Sequence, residues 1–282
     1  MPNDAISEQP RYSEPEEGRS AHIAERKGLK GEVFRPVLVL GGSEGARDIC
    51  AMLAQHNIPV IYSLAGVTER PRLPAGDIAV RIGGFGGTSG LKRYLSEHAV
   101  AAVIDATHPF ATGMQARVAK ACADLSLPIA RLHRLPWRPK RGDRWIEVAH
   151  IGAAAKALPK SARVFAALGA RGLRDLVARG DLHLTARMLT RPDWPLPPRW
   201  RILLSGPRKT VAEEAALLSS LRAEWLICRN AGGQAGRYRL KAARLLNLPV
   251  VMIRQPPPVV DVPRFFHVPA LLAWVLRRIG QG

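Results

Sequence analysis

The chain has 282 residues, 47% of them hydrophobic, and a formal net charge of +19 at pH 7. This length suits one large domain or two modest ones with a substantial core. No run of about 18 apolar residues occurs, which argues against a transmembrane helix, and the polar N-terminus lacks the apolar centre of a signal peptide. We therefore expect a cytoplasmic protein that begins with a disordered extension, 1–32.

Composition also narrows the kinds of ligand. The three cysteines form no Cys-x-x-Cys motif and the eight histidines form no cluster, so we expect no metal site. The excess positive charge suits an anionic partner, either nucleic acid or a small molecule with carboxylates or phosphates, unless it is only a solvated basic surface. The basic residues are dispersed along the chain and no nucleic-acid-binding motif is present, which disfavours nucleic acid.

The first chemical signal in chain order is a glycine turn between a strand and a helix. Residues 36–40 form a short apolar strand, and residues 48–56 have helical periodicity. Between them, Gly41, Gly42 and Ser43 permit a tight turn whose backbone N–H groups face a phosphate at the helix N-terminus. The spacing departs from the full Gly-x-Gly-x-x-Gly fingerprint, but the strand–turn–helix context favours a dinucleotide site.

The second strand, 58–65, bears on the choice of cofactor. Rossmann domains that prefer NAD carry an acidic residue about 20 residues beyond the glycines, where it binds the ribose 2′-hydroxyl, whereas an arginine accommodates the 2′-phosphate of NADP. Here the strand ends near Ser63 without an acidic residue, and Arg70 and Arg72 follow. This pattern favours NADP, unless both arginines are ordinary surface residues of a loop.

A glycine cluster, 83–87, follows the third strand. Four glycines surround Phe85, and glycine is unfavourable in regular structure unless the backbone must turn sharply or approach another group closely. We expect the backbone here to lie close to a large ligand. The ring of Phe85 either contacts a flat ligand or fills the core.

Residues 100–111 carry the densest set of polar groups. A buried strand ends at Asp105, and Thr107 and His108 follow before Pro109. Because proline is favoured in the first turn of a helix, we place Thr107 or His108 at a helix N-cap. The end of such a strand lies at the carboxyl edge of a parallel sheet, where open α/β folds bind ligands. The alternative is that Asp105 and Thr107 only cap the helix.

The basic segment 134–145 is the predicted boundary between the two halves of the chain. It separates an N-terminal domain, 33–133, from a second domain, 134–282, in which strands and helices alternate again. A final helix, 270–279, closes the second domain. The alternation in both halves predicts an α/β fold with mainly parallel sheets.

A second glycine turn follows the strand 225–228. It comprises Arg229, Asn230, Ala231, Gly232 and Gly233 and precedes another helix, which begins at Arg239. It is similar to a second anion cradle, unless it is a plain turn with surface arginines.

Five segments of the chain form one recognisable pattern. They are Leu40–Ser43 with Ala46-Arg47, Ser63–Gly66, Arg81–Gly87 with Gly90-Leu91, Asp105–Ala111, and Asn230–Gly233 with Leu240, Ala242–Arg244 and Pro249–Met252. This pattern resembles the family of precorrin-6A and cobalt-precorrin-6A reductases, which act in cobalamin (corrin ring) biosynthesis. The resemblance covers roughly 37–256, and the glycine cluster 83–87 (Gly-Gly-Phe-Gly-Gly) and the Asp-Ala-Thr-His-Pro-Phe-Ala segment are its most specific parts.

The resemblance implies two Rossmann-like domains with a cleft between them that holds NADPH and a tetrapyrrole polycarboxylate. It implies hydride transfer to a ring double bond of precorrin-6A, which gives precorrin-6B. Two alternatives remain at this point. One is the cobalt-precorrin-6A reductase reaction of the anaerobic route, and the other is a non-catalytic regulator that senses NADP or binds nucleic acid.

The candidate site residues fall into three groups. For the cofactor, we expect the phosphates at Gly41, Gly42 and Ser43, the adenosine ribose at Ser63, Leu64, Ala65 and Gly66, and the nicotinamide near Gly83, Gly84, Phe85, Gly86 and Thr107. For proton donation, the candidates are Asp105, His108 and water. For the carboxylates of the substrate, we expect Arg187, Arg229 and Arg239, together with Asn230, Gly232 and Gly233.

Overall fold

The structure is a computed structural model that describes residues 26–27, 33–66, 71–234, 236–258 and 261–279. Most of the predicted extension, 1–32, lies outside these residues. The elements in chain order are β1 (Arg26–Lys27), β2 (Val33–Phe34), β3 (Val37–Leu40), α1 (Glu44–Gln55), β4 (Val60–Leu64), β5 (Ala79–Ile82), α2 (Gly87–Glu97), β6 (Ala102–Asp105), α3 (Thr112–Asp124), β7 (Ile129–Leu132), β8 (Arg144–Val148), α4 (Ile151–Ala157), β9 (Arg163–Ala167), α5 (Gly169–Arg174), β10 (His183–Met188), β11 (Trp200–Leu204), α6 (Val211–Ser220), β12 (Trp225–Arg229), α7 (Arg237–Leu245), β13 (Pro249–Ile253), β14 (Arg264–Phe265) and α8 (Val268–Ile279).

These elements build two parallel sheets of six strands each, which confirms the predicted α/β fold. The first sheet has the order β14-β7-β6-β3-β4-β5, and the second has the order β11-β10-β9-β12-β13-β8. Numbered by their own order in the chain, the strands of the first sheet follow the 3-2-1-4-5-6 order of dinucleotide-binding Rossmann folds. The strand order therefore changes direction between β3 and β6 in the first sheet, and between β9 and β12 in the second.

Helices cover both faces of each sheet, because the central strands are apolar on both sides. Helices α1 and α8 share one core with the first sheet, and α2 and α3 share another. Helices α4 and α5 pack on one face of the second sheet, and α6 and α7 pack on the other. We call the first sheet with its four helices the first unit, and the second sheet with its four helices the second unit. Within the described residues, no helix is long and apolar enough to cross a membrane.

The C-terminal segment returns to the first unit. Strand β14 pairs in parallel with β7, and Leu271, Leu272, Trp274 and Val275 of α8 pack in the same core as Ile49 of α1. The sequence assigned this helix to the second domain. Its periodicity predicts an apolar face but not the sheet that the face covers, and β14 is only two residues long.

Two further features differ from the sequence expectation. Strand β8 begins at the end of the basic boundary segment, 134–145, where no strand was predicted. It is an edge strand in which the charged residues Arg144 and Glu147 interrupt the apolar run. Helix α3 begins at Thr112 with Ala111 at the N-cap, so neither Thr107 nor His108 caps it. The backbone N–H of Ala111 donates to the carbonyl oxygen of His108 instead, at 2.8 Å, which places Pro109 in a turn before the helix.

Candidate functional site

The carboxyl ends of the central strands of the first sheet lie side by side. Leu40 of β3 is in register with Ser63 of β4 and with Asp105 of β6. Gly41 follows at once with φ +117°, and a Cβ atom there would lie 2.4 Å from the carbonyl oxygen of Ala106. Only glycine therefore allows the turn after β3 to pass this close to the segment after β6.

The turn after β3 leads into a helix N-terminus that can bind an anion. The Ser43 hydroxyl accepts a hydrogen bond from the Ala46 N–H at 3.1 Å and so caps α1. The first-turn N–H groups of Glu44 and Gly45 have no partner within the helix. Backbone donors at a helix N-terminus suit a phosphate, and Gly42 and Ser43 lie directly before these donors.

The glycine cluster after β5 is held by Arg81. Its guanidinium donates to the carbonyl oxygens of Gly83 and Gly84 at 2.6 and 2.5 Å, and its Cζ lies 3.7 Å from the centre of the Phe85 ring. The same ring packs edge-to-face on Tyr94. The Phe85 ring was predicted either to contact a flat ligand or to fill the core, and in the structure it packs against Arg81 and Tyr94 of the protein itself.

The backbone of this cluster faces open space. A Cβ atom added at Gly83, Gly84, Gly86 or Gly87 would meet nothing within 4 Å. A ligand can thus approach the peptide groups directly.

The neighbouring residues at the end of β4 differ in exposure. Ser63 and Leu64 are buried, whereas Ala65 and Gly66 are exposed and adjoin the open glycine cluster. Arg72 is exposed, and Arg70 lies outside the described residues.

Asp105 is fully buried and both its carboxylate oxygens are engaged. Oδ2 lies 2.9 Å from Nε and Nη2 of Arg131. Oδ1 accepts from the backbone N–H of Thr107 at 3.0 Å and from its hydroxyl at 2.6 Å. Asp105 and Thr107 therefore fix the segment that leads to His108, and the Asp105 carboxylate has no surface that a substrate can touch.

His108 lies exposed where the two units meet. Its Nδ1 accepts from the backbone N–H of Phe110 at 3.2 Å, which assigns the proton of the neutral ring to Nε2. The ring of Phe110 packs against the core of the second unit. Partial desolvation at this junction, with the guanidiniums of Arg134 and Arg229 nearby, lowers the pKa of His108 to about 4. At neutral pH the ring is therefore uncharged, with a donor at Nε2.

Arg134 and Arg229 supply two guanidiniums that pair with no carboxylate within 4 Å among the described residues. Burial lowers the pKa of Arg134, and burial is also the largest cause of the lowered pKa of Arg229. The Arg229 guanidinium lies 5.2 Å from the centre of the Phe110 ring. Asp175 acts on Arg229 only as a nearby charge, without an ion pair within 4 Å, and desolvated cations that lack a paired carboxylate favour an anionic ligand. The sequence predicted a role for Arg229 and missed Arg134.

Two arginines predicted to bind substrate carboxylates are occupied inside the second unit. Arg187 forms a buried, bidentate ion pair with Glu214, at 2.6 and 2.9 Å. Arg239 is 7% exposed and lies against the Cys228 thiol. Arg187 is therefore neutralised by a carboxylate of the chain, which disfavours the predicted contact with the substrate. Arg239 has no carboxylate within 4 Å among the described residues, so its role stays a prediction. The signal that could have warned against Arg187 is Glu214 in the first turn of α6.

The second glycine turn, 230–233, is filled by the chain itself. The Asn230 side chain accepts from the Trp137 N–H at 2.7 Å and donates to the Trp137 carbonyl at 2.9 Å. A Cβ atom at Gly232 would lie 2.3 Å from the carbonyl oxygen of Leu135, and the carbonyl of Gly233 accepts from the Trp137 indole at 2.8 Å. This turn holds the segment that crosses between the units, which contradicts the expected anion cradle.

A family model described as precorrin-6x reductase CbiJ/CobK matches residues 36–276. A precorrin-6A reductase from Rhodobacter capsulatus is 40% identical over 222 residues, which cover 78% of this chain and 88% of that protein. One from Rhodococcus erythropolis is 38% identical over 241 residues, or 85% and 96% of the two chains. A cobalt-precorrin-6A reductase from Priestia megaterium is 24% identical over 233 residues, or 78% and 90%.

A solved structure extends the similarity to three dimensions. It is described as CobK precorrin-6A reductase, is 38% identical in sequence, and superposes with a TM-score of 0.80. The match covers 87% of this chain and 97% of that one. Both units and the junction between them therefore fall within the matched region.

Proposed function

Because this chain belongs to the precorrin-6x reductase family, we propose that it reduces a ring double bond of precorrin-6A with NADPH and a proton, giving precorrin-6B and NADP⁺ in cobalamin biosynthesis. The observation that carries the proposal is that groups suited to a dinucleotide lie next to groups suited to carboxylates. The first unit presents the open glycine cluster 83–87 and the N-terminus of α1, and the guanidiniums of Arg134 and Arg229 lie at its junction with the second unit. A regulator without catalysis is not favoured.

The first unit fits a dinucleotide. Gly42, Ser43 and the first turn of α1 would hold the phosphates, since the backbone donors there have no partner within the helix. The open backbone of 83–87 leaves room for the nicotinamide end. No acidic side chain stands at the end of β4, which is formed by Ser63 and Leu64, and this supports NADPH over NADH. When bound, the cofactor supplies the hydride.

The protein's own groups bind and orient the substrate. Arg134 and Arg229 would each take a carboxylate of the tetrapyrrole, which a guanidinium can grip with two parallel hydrogen bonds. His108 would orient the ring by donating from Nε2. The pKa of His108 is about 4 in the substrate-free protein, so its ring is neutral at pH 7, and we assign the delivery of the proton to solvent at this exposed position. Asp105 acts as a positioning residue.

Of the two possible substrates, precorrin-6A and cobalt-precorrin-6A, the one without cobalt is better supported. The relatives described as precorrin-6A reductases are 38% and 40% identical to this chain, whereas the cobalt-precorrin-6A reductase from Priestia megaterium is 24% identical. The proposal therefore assigns the metal-free macrocycle as the substrate.

The decisive experiment is anaerobic incubation of the purified protein with precorrin-6A and NADPH, with the nicotinamide and tetrapyrrole absorbance bands recorded together. We expect one NADPH to be consumed for each macrocycle reduced, and slower turnover with NADH or with cobalt-precorrin-6A. If NADPH binds and neither band changes, the substrate assignment is wrong. If NADPH does not bind, the role of Gly42 and Ser43 is wrong as well.

A further inference from the structure

A groove outside the junction runs along helix α7. It has a volume of about 510 Å³, which lies within the usual range for small-molecule sites. Its apolar wall includes Leu135, Trp137, Trp145 and Leu240. None of His108, Arg134 and Arg229 lines it. It extends to Asp143, which directly precedes β8, an edge strand of the second sheet. It adjoins the proposed active site at one end, since Leu135 follows Arg134 and a Cβ atom at Gly233 would lie 3.5 Å from the Arg134 side chain, but its lining includes neither of the two guanidiniums nor His108.

The aromatic wall of the groove is rigidly supported. The backbone of Trp137 is bonded on both sides by the Asn230 side chain, and its indole N–H donates to the carbonyl of Gly233. A Cβ atom at Gly236 would lie 2.2 Å from the Trp137 ring, so only glycine lets the ring lie this close to the start of α7. An indole fixed in this way gives a flat ring a surface on which to stack at little entropic cost.

The rim of the groove is positively charged. Arg244 is neutralised by Asp143, with its guanidinium nitrogens 2.8 and 3.0 Å from the two carboxylate oxygens. The other four cations at the rim have no acidic partner within 4 Å among the described residues; they are Arg138, Lys140, Arg237 and Lys241. Arg237 and Lys241 lie one turn apart on α7, so they can hold one anionic group between them.

We propose that this groove is a second ligand site, which binds a flat aromatic molecule carrying phosphate or carboxylate groups. The ring would stack on the indole of Trp137, and the anionic groups would bind the four unpaired cations. A nucleotide and a tetrapyrrole polycarboxylate share this chemistry. The site goes beyond the proposed reductase activity and does not depend on it.

The test is isothermal titration calorimetry of the full chain with four probes. ADP and uroporphyrin represent the two sources of the ligand chemistry, while adenosine supplies a ring without anionic groups and pyrophosphate supplies anionic groups without a ring. Because the proposed active site can also bind ADP and uroporphyrin, only the binding that the charge-reversal variant described below weakens is assigned to the groove. For that binding we expect ADP or uroporphyrin to exceed either fragment in affinity, and the better of the two identifies the source. If neither binds, or if pyrophosphate binds as tightly as both, the proposal is overturned.

A charge-reversal variant locates the binding. Arg237→Glu with Lys241→Glu removes two rim charges at exposed positions, and we expect it to weaken that binding by about tenfold or more. Lys156→Glu is the matched control, since it reverses an exposed charge on α4, across the second sheet. We expect both variants to keep the wild-type KM for NADPH and precorrin-6A. Equal binding by the double variant and the control would place the ligand elsewhere and overturn the proposal.

Discussion

The two glycine turns, 41–43 and 230–233, both follow strands at which the strand order of their sheet changes direction, but their surroundings differ. After β3, the first-turn N–H groups of α1 are left without a partner in the helix. After β12, Asn230 and Gly232 contact the backbone of the segment that crosses between the units. Glycines at such a position therefore report that something approaches the backbone, but not whether it is a ligand or the chain itself.

The partly and fully buried arginines also fall into two groups, those paired with a carboxylate of the chain and those without one. Asp105 with Arg131 and Arg187 with Glu214 are buried ion pairs, one in each unit. Arg134 and Arg229 are desolvated without such a partner. In a basic protein the arginines available to a substrate are those whose charge no carboxylate of the chain neutralises.

The largest expected effect comes from breaking the ion pairs. Asp105→Asn leaves Arg131 buried without its partner, which should lower the free energy of unfolding by about 3–5 kcal/mol. We expect kcat of the folded fraction to fall by less than tenfold, because the Asp105 carboxylate does not reach the substrate. Urea denaturation and steady-state kinetics measure the two effects.

The matched change in the other unit is Glu214→Gln, which should cost a similar free energy of unfolding. A catalytic acid at position 105 would instead give Asp105→Asn a loss of kcat of about a hundredfold or more, with little loss of stability. That outcome would contradict the positioning role.

A second prediction tests what fills each glycine turn. Asn230→Ala removes two buried hydrogen bonds to Trp137, so the free energy of unfolding should fall by about 2–3 kcal/mol while the KM for precorrin-6A is unchanged. In the first turn, Ser43→Ala removes a helix cap worth about 1 kcal/mol and should raise the KM for NADPH several-fold. If Asn230→Ala raised the KM for substrate without loss of stability, the second turn would be an anion site after all.

A third prediction concerns the unpaired guanidiniums. Arg134→Met and Arg229→Met should each raise the KM for precorrin-6A by about tenfold, because each removes a charge-assisted contact worth about 1.4 kcal/mol. Neither should lower the melting temperature, since both changes relieve the desolvation of a cation. Lys156→Met on α4 is the control, and equal values of KM for all three variants would remove Arg134 and Arg229 from the substrate site.

The smallest expected effect is that of His108→Gln. The ring of His108 should titrate with a pKa of about 4 in the substrate-free protein, so lowering the pH from 7 leaves it neutral until that value is approached. His108→Gln keeps an N–H donor and should reduce kcat by about threefold, whereas His108→Ala should reduce it by about tenfold. NMR of the histidine rings measures the pKa. Titration near pH 7, with equal losses in both variants, would support an acid role instead.

The sequence was sufficient for the central strands and for the position of the first glycine turn. Strands such as β3 and β4 are continuous apolar runs because they are buried on both faces. It failed at β8 and β14, since an exposed edge strand and a two-residue strand carry no such run. Hydrophobic periodicity also cannot say which sheet a helix covers, which is why α8 was assigned to the wrong half.

The site was predicted less completely, because a side chain's type does not reveal its partner. The sequence shows Glu214 in the first turn of α6 but not that its carboxylate pairs with Arg187, so Arg187 and Arg229 were given the same role. Arg134 was missed because it stands in a segment interpreted as a linker. A usable signal existed, since it lies two residues beyond the end of β7 and therefore at the same carboxyl edge as His108. Polar residues just beyond the end of β6 were taken as site candidates, and the same criterion applied to β7 would have found Arg134.

The return of the last helix to the first unit has a consequence for how the protein is made. The core that supports the proposed cofactor turn includes Leu271, Leu272, Trp274 and Val275, which are synthesised after the whole of the second unit. The second unit is continuous in sequence and can close earlier. During synthesis the half that begins first should therefore be completed last, and a nascent chain that stops short of α8 would expose the core beside α1 to chaperones.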